Sequence, residues 1–258
     1  MSNIADVLKA LEEINEKSSF NIFIPSLKRE VKFKPLTTKQ QQSLYTCVKD
    51  NFVYSTRFVI VTSNIIIENC YEPDVLKDLT IIDRIVILLA LRKSVLGSGI
   101  FIEKNGTTYE VHYDNCLELT TTLETPPDEI VSVGPLQVEL QVLKLLDLFN
   151  QEKELRGSFV TEPAATDTIL EQLLINETCK VIKSISIVTD NGLESLNYDQ
   201  LTWKEKAVAV SNLPAEVMIG IQNYSKSISS ILTELTTVYL SENQTTGFDI
   251  TVDFFLSN

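Results

Sequence analysis

The sequence predicts an α+β protein: a mostly helical core with an N-terminal β-hairpin, a small antiparallel β unit inserted between helices, and a C-terminal strand. Three observations lead there. Apolar residues three and four apart dominate the stretches between 38 and 96 and between 143 and 235, the spacing of helix faces. Two-residue alternation is confined to 20–33, to parts of 99–142 and to the last residues. Between two alternating runs stands Asn105-Gly106, the strongest short hairpin signal. A chain of 258 residues with 44% apolar and 22% charged residues is long enough and ordinary enough to bury a core.

Taken in order, Ile4, Val7, Leu8, Leu11 and Ile14 share one helical face, with Glu12, Glu13 and Glu16 off it. Phe20, Ile22 and Ile24 alternate, Pro25-Ser26 turns the chain, and Val31 and Phe33 alternate again before Pro35. Thr37 or Thr38 caps the next helix. Residues 52–71 read as a helix with Phe58, Val61 and Ile65 inward. Thr80 with Asp83 forms a capping box for the Ile/Val/Leu-rich helix that stops at Gly97. A hairpin is expected at 100–114 and strands at 116–124 and at 131–142, then helices at 143–155 and from Asp167 to about Ser184, with a short strand at 184–188. Thr202 and Glu205 box the helix that starts at Trp203, a packing anchor, and Pro214 opens the next. Phe248, Ile250, Val252 and Phe254 alternate with Asp249, Thr251 and Asp253 as a terminal strand, completing a sheet of its own or adding to a partner's edge. The expected organisation is 1–96 (N-terminal helix, basic hairpin and helical core), 97–142 (β unit) and 143–258 (helical region ending in a strand).

Catalytic chemistry finds little footing. A single histidine, His112, falls on the polar side of an alternating strand and rules out His-rich metal sites. Cys47, Cys70, Cys116 and Cys179 are too scattered for a zinc ribbon or a redox pair and read as reduced, buried thiols. With eight glycines there is neither a phosphate-cradling loop nor a nucleophile elbow. Catalytic, metal and cofactor residues are therefore set at none, and no cofactor is expected. The longest apolar run, Ile85 to Leu91, is far short of the roughly 20 residues of a membrane span. The opening residues lack a signal-peptide pattern, so synthesis and assembly in a cytoplasm are expected.

Charge is polarised. Residues 1–100 carry 13 Lys and Arg against 11 Asp and Glu, whereas residues 101–258 carry 9 against 24, within a net charge of −13. This disfavours nucleic acid as a partner. The exception is Lys28, Arg29, Lys32, Lys34 and Lys39, opposed only by Glu30. That stretch is either a lysine-protected hairpin edge or a docking patch for an acidic partner, such as the C-terminal part of another copy. In 215–235, Val217, Ile221, Tyr224, Ile228, Ile231 and Leu235 form a seam of 3.5-residue period. It serves either the chain's own core or a contact with another protein.

The run IPSLKREVKFKPLTTKQQQSL has three marks: a strand ending in Pro25-Ser26, a basic strand closing in Phe33-Lys34-Pro35-Leu36-Thr37, and a Gln-rich helix start. It resembles the opening of baseplate hub subunits and hub-assembly proteins of contractile-tailed, T-even-type bacteriophages. Leu213-Pro214 opening a helix and Phe254-Phe255 near the end are similar too. The resemblance implies a non-enzymatic tail protein located in the virion baseplate and partnered by other tail proteins, with self-association left open. It brings no catalytic or cofactor residues. Candidate partner-binding residues are Lys28, Arg29, Lys32 and Lys34, the seam from Val217 to Leu235, and Phe248, Ile250, Val252 and Phe254. The alternatives are a tail-assembly chaperone that leaves before maturation and, less favoured, a metal-dependent enzyme built on carboxylates.

Overall fold

A computed structural model describes the chain except residues 1–3, 5, 7–8, 10–12, 15–16, 48–53, 162–174, 176–177, 191, 197, 242–243, 252–253 and 256–258. Val7, Leu8, Leu11, most of the helix expected from Asp167, Val252 and the side chain of Trp203 thus lie outside the described residues. Where 4–17 is described it is helical, but Ile4 and Ile14 stand 77% and 57% exposed rather than facing a core.

Strands β1 (Phe20–Ile24) and β2 (Arg29–Phe33) pair antiparallel, Phe20 opposite Phe33 and Ile24 opposite Arg29. Ile22, Ile24, Val31 and Phe33 point inward and are almost fully buried. Helix α1 (Thr38–Thr46) starts with a capping box in which the Thr37 hydroxyl accepts from Gln40 N–H and the Gln40 side chain accepts from Thr37 N–H. Helices α2 (Tyr54–Asn69) and α3 (Ile81–Leu96) follow. The expected capping box Thr80–Asp83 is formed, and Gly97 ends α3 at φ 77°, a backbone that only glycine adopts freely. Helix α3 is the centre of the molecule: Ile82, Val86, Ile87, Leu88, Leu89 and Leu91 are all buried.

The β3 (Gly99–Lys104) and β4 (Thr107–His112) hairpin turns at Asn105-Gly106, both left-handed, as the dipeptide predicts. The strand expected at 116–124 is instead helix α4 (Asp114–Leu119). Its threonines suggested β structure, but their hydroxyls turn back onto the last helical carbonyls, Thr120 to Leu117, Thr121 to Glu118 and Thr122 to Leu119. Strands β5 (Glu129–Val133) and β6 (Leu136–Leu140) join β7 (Ile182–Thr189) and β8 (Gly192–Leu196) in one antiparallel sheet of order β5-β6-β7-β8. Pairing therefore crosses residue 142, and β7 begins before Ser184, where a helix end was expected.

Helix α5 (Leu145–Thr161) packs on α2 and α3. Between them Arg84, buried and with its pKa pushed down to about 10 by desolvation, donates to the Thr62 hydroxyl at 2.6 Å. Helix α6 (Trp203–Ser211) opens with the expected Thr202–Glu205 capping box, and α7 (Ala215–Leu235) follows Pro214, its N-cap. The last pairing is β9 (Thr237–Ser241) with β10 (Gln244–Gly247). It ends before Phe248: residues 248–251 lie in no strand, and 254–255 are helical. The expected terminal strand is thus displaced toward the N-terminus. No helix among the described residues is long and apolar enough to cross a membrane.

Candidate functional site

The basic hairpin is built by alternation. With Ile22, Ile24, Val31 and Phe33 committed to the core, the residues between them must face outward. Lys28 sits at the turn in a left-handed conformation, φ 50°, and is exposed. Arg29 Nη2 meets Glu72 Oε2 at 2.7 Å, which holds the Glu72 carboxyl below its usual range and raises the guanidinium further. Lys32 and Lys34 both place their ammonium groups over the Tyr71 ring, 5.0 and 5.1 Å from its centroid. Tyr71 and Glu72 are held there because Lys34 N–H donates to Asn69 O and Tyr71 N–H donates to Lys32 O, so the chain after α2 runs beside β2. No local signal in the sequence joins Lys32 to Tyr71; the pairing comes from tertiary structure. Three candidate cations, Arg29, Lys32 and Lys34, are thus directed by the consecutive residues Tyr71 and Glu72, while Lys28 is exposed at the turn.

The other two candidate groups are placed differently. Val217, Ile221, Tyr224, Ile228 and Leu235 are at most 3% exposed and face the chain's own α3, α4 and β5; Ile231 is half-buried against the same core. Gly220 lets α7 approach so closely that a Cβ there would lie 2.6 and 2.8 Å from the Val131 methyls. The seam is consumed by intramolecular packing and presents nothing to a partner in this conformation. Burial also pushes the Tyr224 phenol up to about 12.

Phe254 is buried, while Phe248 and Ile250 are half-buried. Phe248 stacks on Phe254 at 5.6 Å, and Tyr113 closes the cluster against both. Arg92, fully buried, fastens it: Nε donates to Phe254 O, Nη1 to Gly97 O at 2.7 Å and Nη2 to Gly99 O at 2.9 Å, with the guanidinium 4.9 Å from the Phe254 ring centroid. The tail is an internal anchor here, a role for Arg92 that helix periodicity could not announce.

One group resembles catalytic chemistry in composition. Ser98 Oγ lies 3.2 Å from His112 Nδ1 and donates to Asp114 Oδ2, and Lys93 Nζ is 2.6 Å from Asp114 Oδ1. A nucleophilic triad needs the imidazole between hydroxyl and carboxylate, so that the base takes the hydroxyl proton. Here the serine lies between the two and donates its hydrogen bond to the carboxylate. Lys93 and Ser98 hold Asp114 below its ordinary pKa, consistent with a resident anion tying the start of α4 to α3. The four cysteines are free and buried, and burial raises the thiol pKa of Cys70, Cys179 and Cys116, the last to about 11, away from thiolate reactivity. Among the described residues no three His, Cys, Asp or Glu side chains are grouped to hold a metal ion.

No curated protein and no solved structure matches the chain. The family described as T4 bacteriophage base plate protein matches residues 16–255, from the end of the first helix through the hairpin, the helical core, the four-stranded sheet and the Phe254-Phe255 anchor. That match spans nearly the whole fold, and the chain belongs to the T4 bacteriophage base plate protein family.

Proposed function

We propose that this baseplate protein works at the hub, as a hub subunit or a hub-assembly protein, and that it acts through protein–protein contacts rather than catalysis. The observation that carries the reading is the hairpin surface: Lys28, Arg29, Lys32 and Lys34 gathered on one rigid, exposed hairpin of a chain whose net charge is −13. Charge concentrated against the overall sign favours steering and register with an acidic partner surface. Other tail proteins are the partners that a baseplate family supplies, and the hairpin is the part of this one that meets them.

Mass spectrometry of purified particles, quantified against known tail proteins, tests the role. A stoichiometric signal for the 29.0 kDa chain identifies a hub subunit; abundance in infected lysate with absence from particles identifies an assembly factor. Reversing all four cations to Glu is expected to abolish salt-sensitive association with tail proteins. If every tail-protein contact survives that variant, the docking role is wrong.

A further inference from the structure

Hairpin β1–β2 leaves one edge that no strand among the described residues pairs with. The outer edge of β2 is taken, since Lys34 N–H donates to Asn69 O at 2.8 Å and Tyr71 N–H to Lys32 O at 3.1 Å. Along an antiparallel strand the backbone N–H and C=O of successive residues turn to alternate sides. Lys32 and Lys34 therefore face away from β1, while Val31 and Phe33 face their register partners Ile22 and Phe20. Asn21 and Phe23 then direct their N–H and C=O groups to the opposite side, where no strand among the described residues pairs with β1. A groove of about 570 Å³ runs along that side. Four consecutive residues, Phe20–Phe23, form one wall, which side-chain alternation permits only where a strand presents its edge. Val86, Ala90, Lys93 and Ser94, a stripe of α3, form another, with Leu117, Thr120 and Thr121 from the end of α4 beside them. A strand edge facing a helix stripe is suited to strand addition.

The same chain carries a matching edge. Val188 N–H donates to Pro135 O, toward β6, so Ile187 and Thr189 face β8 and pair with Glu194 and Gly192. Leu193 and Ser195 consequently turn their N–H and C=O groups outward, at the far edge of the four-stranded sheet. All five residues of β8 are exposed, Leu193 at 58%. Charge is complementary as well: residues 184–203 contain Asp190, Glu194 and Asp199 and no Lys or Arg, and the α3 wall of the groove carries Lys93.

We propose that β8 of a second copy adds antiparallel to β1 in this groove. Asn21 lies opposite the second copy's Ser195 and Phe23 opposite its Leu193, so the two outward residues of each edge exchange four backbone hydrogen bonds, and Phe23 gains an apolar neighbour. The contact joins different surfaces of the two copies and is therefore head-to-tail, closing into a ring or growing as a filament. It stands apart from the hub assignment and holds or fails without it.

Sedimentation velocity of the full chain over a concentration series tests it. The wild type is expected to grow in mass with concentration. Asn21→Pro and Ser195→Pro each remove one outward N–H without touching the ladder inside the hairpin, and each is expected to weaken association by about tenfold or more, as the loss of more than ~1.4 kcal/mol reads. Asn21→Ala and Ser195→Ala keep the N–H and retain association. An equimolar mixture of the two proline variants, each with one good edge, forms dimers and nothing larger. A wild type monomeric at every concentration, a proline variant that associates as the wild type does, or a mixture that stays monomeric overturns the proposal. Where circular dichroism shows a proline variant unfolded, the pair Lys93→Glu and Glu194→Lys replaces it, since Glu194 falls opposite Ile22 and faces the α3 wall that carries Lys93: each alone must associate less than the wild type and the mixture more than either, and failure of that pattern overturns it equally.

Discussion

Helix α7 and hairpin β1–β2 are both amphipathic, and they use their polar and apolar sides in opposite ways. Helix α7 lays Val217, Ile221, Tyr224, Ile228 and Leu235 against the chain's own core, leaving an outer face that is polar apart from Ile219. The hairpin also buries its apolar side, Ile22, Ile24, Val31 and Phe33, but its outer side concentrates cations in an acidic chain and its edge leaves backbone groups that no strand among the described residues pairs with. An apolar row says only that something must cover it, and the chain itself is the nearest cover. Clustered like charge has no such internal outlet, because burying it unpaired would cost far more than leaving it in water. The exposed row of the hairpin is therefore the better guide to a partner, although the seam has the stronger periodicity.

The largest effect expected from this contrast is at the seam. Ile221 is 1% exposed, so Ile221→Ala loses its transfer energy and leaves a cavity between α7 and the core. A loss of about 2–5 kcal/mol is expected in urea unfolding. A loss within ~0.5 kcal/mol, the range of surface changes, would mean that the seam is not packed as described and would return it to the list of partner surfaces.

Gly220→Ala comes next. A Cβ 2.6 Å from a Val131 methyl requires β5 and α7 to move apart, at a cost of about 1–3 kcal/mol. The gain in helix propensity, about 1 kcal/mol, offsets part of it. The net effect should be destabilising, and Val131→Ala in the same chain should relieve it, so that a double-mutant cycle shows coupling. If Gly220→Ala stabilises the protein, the close approach is wrong.

The sequence made most of this legible where local chemistry decides. Capping boxes at Thr80–Asp83 and Thr202–Glu205, the Asn105-Gly106 turn and the inward Ile and Val of the hairpin are set within a few residues of each other, and the structure has them. Thr120–Thr122 misled because β-branching favours strands, whereas short hydroxyls can equally bond back to helix carbonyls. Phe248–Phe254 misled because alternation there serves an aromatic cluster around Arg92 rather than a ladder. At the candidate site the cations were legible, but Tyr71 and Glu72, which direct Arg29, Lys32 and Lys34, are brought in by pairing some forty residues along the chain and carry no sequence signal.

On the hairpin, neutralising cations should scarcely change stability. Lys32 and Lys34 over Tyr71 are exposed contacts worth about 0.5–1 kcal/mol at most. The double variant Lys32→Gln/Lys34→Gln should therefore unfold within about 1–2 kcal/mol of the wild type while losing salt-sensitive association. A much larger loss of stability would make these lysines structural and remove the contrast with α7.

The smallest effect is the most specific to the hairpin. Arg29 holds the Glu72 carboxyl below its ordinary value, so folding prefers the carboxylate. A depressed folded pKa contributes stability that is present above the unfolded value of about 4.3 and is lost as pH falls through the folded one. Both side chains are well exposed, so salt screens the pair and its contribution to unfolding is small. A carboxyl titration followed by NMR reads it directly. The Glu72 midpoint should lie below that of an unperturbed glutamate, move up in high salt and return to the ordinary value in Arg29→Ala. A midpoint that ignores Arg29→Ala would mean that the guanidinium is not held by Glu72 and is already free for a partner, which would sharpen the difference between hairpin and helix rather than erase it.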